Sequence, residues 1–235
     1  MKILLKTICV AAATAGINIG NTTSVKFGVD VSGAWTYVKV KSTTKESGKS
    51  SSKHTYKTNL YQFTGSPYLL YKDACLLCDF TIGRQKTKGE KGSLLLELFP
   101  AFEYLPFDLG FVKLGATAGD IIHFNKISNG NKRSMRLAYN QFLIGPTAVF
   151  NLTNYTFLRL EGRWNFTHEN KNICVKRNKN FPSIGIKLIQ NLGNSGVYVA
   201  AKYQHNFKHT HDKTKSTSKT KSSVDIYELR LGYRW

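Results

Sequence analysis

Nowhere in the 235 residues do eighteen uncharged apolar residues run together, which excludes a bundle of transmembrane helices. Acidic side chains are scarce, 14 Asp and Glu against 34 Lys and Arg, for a net charge of +20. Cysteine is nearly absent: Cys9 lies in an N-terminal stretch that reads as a leader, which leaves Cys75, Cys78 and Cys174. Three cysteines exclude a four-cysteine structural zinc site within one chain. No glycine-rich phosphate loop, hydrolase elbow or metalloprotease helix occurs, so no cofactor and no metal are implied, and no enzyme is expected. What remains is a chain with an ordinary 41% apolar content and a length that fits one domain.

The start has a basic n-region ending at Lys6, a short apolar h-region and the small residues Ala13 and Ala15 in a cleavage-site pattern. It reads as a secretory signal peptide over residues 1–15, with cleavage as late as residue 21 as the alternative, and a mature domain over 24–235. Secretion removes nucleic acid as a partner despite the charge. The basic residues cluster between the apolar segments, at Lys45, Lys49 and Lys53, at Lys176 and Arg177, and at Lys208, Lys213, Lys215, Lys219 and Lys221. These read as solvated loops that attract polyanions such as lipopolysaccharide phosphates or host glycans.

Between the basic clusters the chain alternates. Residues 25–40 carry Val25, Phe27, Val29, Val31, Gly33, Trp35 and Tyr37 on one face, with Asp30, Ser32 and Thr36 on the other. Further strands are expected at 57–70, 75–85, 93–104, 111–124, 135–150, 155–166, 184–192, 197–207 and from 224 to the end. A bulge is expected between Tyr139 and Phe142, where the register changes. Ten strands result, with eight as the alternative because residues 60–85 alternate least. Connections near 73, 107, 152 and 193 are short, whereas those near 48, 88, 128, 174 and 215 are long and polar. The segments 41–55, 125–132 and 209–223 are expected as loops. The pair Cys75-x-x-Cys78 admits a disulfide, half a metal site or two separate thiols; a disulfide near a periplasmic turn is the expectation.

The last strand places Tyr227, Leu229, Leu231, Tyr233 and Trp235 at every second position. Lipid on one side and a polar interior on the other produce this pattern, so the fold class is all-β: an antiparallel transmembrane β-barrel with short periplasmic turns and long basic extracellular loops. The ending resembles that of bacterial outer-membrane β-barrels, of the small OmpA or OmpX-like or porin-like class. The resemblance implies residence in the bacterial outer membrane, and contact with its lipid, with lipopolysaccharide and with the assembly machinery that reads Tyr233 and Trp235. It also implies a monomeric surface protein with structural, adhesive or small-solute roles.

Alternation then directs Glu228 and Arg230 inward, together with Arg159, Glu161 and Arg163, while Glu97, Glu103 and Lys113 add further charges. They read as an interior network or the lining of a narrow pore. Tyr203-Gln-His205-Asn-Phe207, with Glu228 on the next strand, faintly resembles the lipid A deacylases, in which a His and a Ser two residues later share a strand face. Phe207 stands where that hydroxyl nucleophile would be, and His205 shares its face with Val199 and Tyr203, which points outward. His205, His209, His211 and Asp212 read as loop residues rather than a metal site. The functional expectation is a non-enzymatic surface barrel whose basic loops face polyanions; the alternative is porin-like passage of small solutes or ions.

Overall fold

The computed structural model describes residues 25–45, 51–87, 93–129, 132–168, 175–177, 180–213 and 219–235, so the expected signal peptide lies outside the described residues. Eleven strands follow in order: β1 (Lys26–Lys45), β2 (Ser52–Tyr71), β3 (Ala74–Thr87), β4 (Ser93–Asp108), β5 (Val112–Asn129), β6 (Lys132–Asn151), β7 (Thr156–His168), β8 (Val175–Arg177), β9 (Asn180–Asn191), β10 (Val197–Lys213) and β11 (Lys219–Arg234). Each pairs antiparallel with its neighbours. Because β11 bonds to both β10 and β1, the sheet closes on itself into a barrel of ten staves. The three-residue β8 adds only to the far end of β10. Both β2 and β3 are full staves, which removes the eight-stranded alternative.

Alternation decides which side chains leave the barrel. Trp35, Phe63, Ile82, Leu96, Ile144, Leu160, Ile186, Leu229 and Leu231 all stand exposed on the outer face. Thr36, Thr64, Thr81, Glu103, Thr117, Thr147, Asn165 and Ser183 are buried within. An apolar exterior around a polar interior is the inverse of a soluble protein, and it suits a wall whose backbone groups are satisfied by neighbouring strands while hydrocarbon covers the outside. Aromatics gather at both borders of the apolar band. Tyr71, Tyr104, Phe107, Phe111 and Trp235 stand exposed toward the end that holds the described C-terminus, and the rings of Tyr203, Tyr227 and Tyr37 form a row nearer the other end.

The strands run further than the sequence pattern indicates. Segments expected as loops at 41–55, 125–132 and 209–223 are largely strand, with β1 and β2 paired as far as Thr44 and Ser52. A ladder in a fixed register continues through Thr and Ser residues that fit a pleated surface without being apolar. Since about ten residues cross a bilayer in a tilted strand, the 20-residue β1, β2 and β6 continue beyond the membrane. The expected bulge in β6 occurs slightly earlier: His123 pairs with Tyr139 and Phe124 with Leu137, leaving Ala138 as the extra residue.

The short turns lie at the periplasmic end, by the rule that such barrels keep their tight connections there. In the β4 to β5 turn the Gly110 N–H donates to Asp108 Oδ1 at 2.9 Å, with Gly110 at φ +80°, and Lys113 Nζ sits 3.0 Å from Asp108 Oδ2. These two donors hold the Asp108 carboxyl below the usual aspartate range, so their stabilising effect is present above the ordinary aspartate pKa and fades as pH falls. Lys113 therefore belongs to a half-exposed turn and not to the interior network expected for it.

The cysteine expectation also requires correction. Cys75 and Cys78 are free thiols in one strand. Three positions apart they point to opposite faces, Cys75 beside the inward Glu103 and Cys78 beside the outward Pro100. Their separation along the strand is roughly 10 Å, beyond the ~7 Å limit for a disulfide. Alkylation of the unreduced, denatured protein followed by peptide mapping should label both; a Cys75 to Cys78 cross-linked peptide would contradict this geometry.

The barrel closes where Gly232 makes room for a ring. A Cβ built at Gly232 would lie 2.4 Å from the Tyr198 ring, whose hydroxyl donates to Asp30 Oδ1 on β1 at 2.7 Å. Tyr198 thus reaches across β11 and ties three strands together. G232V should cost about 1–3 kcal/mol through overpacking, read as a lower urea midpoint for the protein folded in detergent, whereas an unchanged midpoint would show that the ring moves away freely.

Candidate functional site

Inward residues of the staves carry charges of both signs. Arg159 on β7 donates to Glu103 on β4 and to Glu161 on its own strand, and Arg163 donates to the other oxygen of Glu161. The result is an alternating chain, Glu103, Arg159, Glu161, Arg163, in which each inner member has two opposite neighbours. Thr117 on β5 donates to Glu103 at 3.0 Å and contacts the Thr147 hydroxyl on β6 at 2.8 Å. Arg159 therefore reaches across the inner faces of β5 and β6 and occupies part of the lumen.

A second group sits on β11. Arg230 Nε donates to Glu228 Oε1 at 2.9 Å, and its Nη1 donates to the Ser32 hydroxyl at 3.3 Å. Nearer the periplasmic mouth, Arg234 donates to Asp30 Oδ2 at 3.2 Å. Glu97 approaches His123 Nδ1 at 3.1 Å. The expected interior set is thus distributed over several groups: Glu103 joins the three β7 residues, Glu228 joins Arg230, and Glu97 joins His123.

Lys187 and Lys202, which the sequence reading did not single out, complete the lumen. The register places Arg159 opposite Lys187, Lys187 opposite Lys202, and Lys202 opposite Glu228. Three cations therefore follow one another across β7, β9 and β10 before a carboxylate appears. Among the described residues no carboxylate lies within ion-pair distance of either ammonium, although Glu228 is close enough to attract both and Glu161 to attract Lys202. The acidic Asp79, Glu97 and Glu103 belong to β3 and β4 on the other side of the barrel. The parity of β9 and β10 carried this signal, since Ser183, Gly185 and Lys187 alternate with Ile184, Ile186 and Leu188.

The hydrolase-like pattern separates in three dimensions. His205 points outward and meets Asp225 Oδ1 at 2.7 Å, with the Phe207 ring edge-on at 4.8 Å between centroids. Glu228 points inward to Arg230, so His205 and Glu228 are on opposite sides of the wall. Of the basic loop residues, Lys53 and Lys221 are exposed in β2 and β11. Lys45, Lys213 and Lys219 occupy strand ends, Lys176 and Arg177 belong to the short β8 and Lys208 lies inside β10, while Lys49 and Lys215 lie outside the described residues. Tyr233 packs edge-on against Trp235 at 4.6 Å, and the Trp235 N–H donates to Val29 O at 3.0 Å.

No family model and no curated protein matches the chain. Among solved structures it is similar to the outer membrane protease OmpT from Escherichia coli, at 10% identity and TM-score 0.52, over 93% of this chain and 100% of that one. It is also similar to a FadL homologue from Pseudomonas aeruginosa, at 8% identity and TM-score 0.41, over 94% and 92% of the two chains. The translocator domain of the autotransporter NalP from Neisseria meningitidis aligns at 11% identity and TM-score 0.35, over 100% and 96%. At such identities the OmpT likeness is one of fold alone. The closed ten-stave sheet, the apolar exterior and that likeness define a bacterial outer-membrane β-barrel, resident in the outer membrane.

R159M leaves Glu103 and Glu161 without their shared cation and should cost about 3–5 kcal/mol, measured as a lower urea midpoint. Adding E103Q should recover part of that loss; strictly additive effects would show that the two residues are not coupled.

Proposed function

We propose that the barrel passes small anionic solutes through its lumen and does no catalysis of its own. Within the outer-membrane barrels this makes it a porin-like member of the small class. The observation that carries the reading is the row Arg159, Lys187, Lys202, in which two enclosed ammonium groups have no carboxylate within ion-pair distance among the described residues. An ammonium removed from bulk water without a bonded anion is costly unless water or a mobile anion reaches it. A hydrated, positively biased wall facing acidic groups across the lumen meets that need and favours small anions. The Arg159 bridge narrows the passage on the β4 to β7 side, which limits it to small solutes.

A surface role in binding polyanions is the second reading. The net charge of +20 and the exposed Lys53 and Lys221, beyond the membrane, favour it. Both roles are compatible with one barrel, because one uses the lumen and the other the strand ends.

In a planar bilayer under a salt gradient, the folded protein should give reproducible small conductance steps with a reversal potential of anion-selective sign. K187Q/K202Q should move that potential toward zero, and K202E should move it further. Absence of conductance from protein verified as folded would overturn the passage reading and leave the surface role.

A further inference from the structure

The lipid-facing wall carries a second charge pattern, independent of the lumen. On the outer face of β10, β11, β1 and β2 lies an apolar notch of about 470 Å³, lined by Gly33, Trp35, Tyr61, Val199, Leu229 and Leu231. It exists because Gly33 has no side chain: a Cβ there would have nothing within 4 Å. Along the same strands toward the extracellular end comes the row of Tyr203, Tyr227 and Tyr37, with centroids 5.0 and 6.1 Å apart. Beyond the tyrosines the same face turns cationic. Lys39 stands directly opposite Lys57 on β2 and Asp225 on β11, and Lys41 follows two positions further along β1.

Like charges directly opposite on adjacent strands repel, and one carboxylate cannot neutralise three lysines. Asp225 is moreover engaged already, by His205 Nδ1 at 2.7 Å, by the Tyr203 hydroxyl at 3.2 Å and by Lys41 Nζ at 3.7 Å. An anion is therefore called for at Lys39 and Lys57, at the height where the apolar band ends and lipid headgroups begin. Tyrosines, with an apolar body and a polar tip, mark that border. The order of the features, an apolar slot, an aromatic border, then paired ammonium groups, is the order of parts in an anionic lipid.

We propose that this face binds one phosphorylated lipid of the outer leaflet, its acyl chain in the notch at Gly33 and its phosphate held by Lys39, Lys57 and Lys41. The site is assembled from the first two and last two staves, so the bound lipid also covers the seam at which the barrel closes.

The test is native mass spectrometry of the full chain in an uncharged detergent, with equal amounts of phosphatidic acid or phosphatidylcholine of the same chain length, and separately with inorganic phosphate. The expected result is retention of one phosphatidic acid, with phosphatidylcholine and inorganic phosphate not retained. K39S/K57S should weaken retention about tenfold or more, as expected for the loss of charge-assisted hydrogen bonds. G33L keeps every lysine and projects into open space, and it should weaken retention as well. K72N, in a periplasmic turn, should bind as the parent does. Equal retention of the two lipids, undiminished selectivity in K39S/K57S, displacement by inorganic phosphate at equal concentration, or a second copy of the chain covering the face would each overturn the proposal.

Discussion

The pairing of β1 with β11 is the interaction on which everything else depends. It runs without interruption from Asp30 opposite Arg234 to Lys45 opposite Lys219. Open strands in hydrocarbon would leave a row of backbone N–H and C=O groups with no water to bond them, at several kcal/mol each, so a membrane sheet must close. Several contacts of the described C-terminal residues reinforce that closure. The Tyr68 hydroxyl donates to Trp235 O at 3.1 Å, the Trp235 N–H donates to Val29 O at 3.0 Å, and Arg234 bonds Asp30. Aromatic and basic residues at this end thus serve the seam in addition to meeting lipid.

Closure creates two environments with opposite demands, and the chain answers both through period-two alternation. Inside, charges are tolerated because they bond one another, as in the chain from Glu103 to Arg163, or because they line a lumen in which water and anions are available. Outside, the band around Leu229 and Leu231 must be apolar, and on β1, β2 and β11 charge returns beyond the tyrosines, at Lys39, Lys41, Lys57 and Asp225. The basic excess of the sequence is consequently divided among the lumen wall, the membrane border and the strand ends beyond it.

The barrel was legible in the sequence because a transmembrane strand writes its two faces in alternating residues. The inward positions of Arg159, Glu161, Arg163 and Arg230 followed from that parity alone. Strand ends were less legible, since Ser, Thr and Lys stretches such as 41–55 read as loop locally while an established ladder extends through them. Partner choice was not legible at all. That Arg159 reaches Glu103 past two intervening staves, or that Lys113 turns to Asp108, depends on closure, which no local pattern records. The same holds for Cys75 and Cys78, whose short spacing suggested a bond that strand geometry forbids. Lys187 and Lys202 were legible by parity, and only the preference for reading apolar faces first concealed them.

Both faces of the wall exist only if the barrel is closed in the outer membrane, and gel mobility of the native protein reads that closure. Taken from an isolated outer-membrane fraction and run in detergent with and without boiling, the protein should migrate differently in the two states, because a closed hydrogen-bonded wall resists detergent until heated. A protein recovered in the soluble periplasmic fraction, with the same mobility before and after boiling, would contradict the closed membrane barrel and every inference drawn from its two faces.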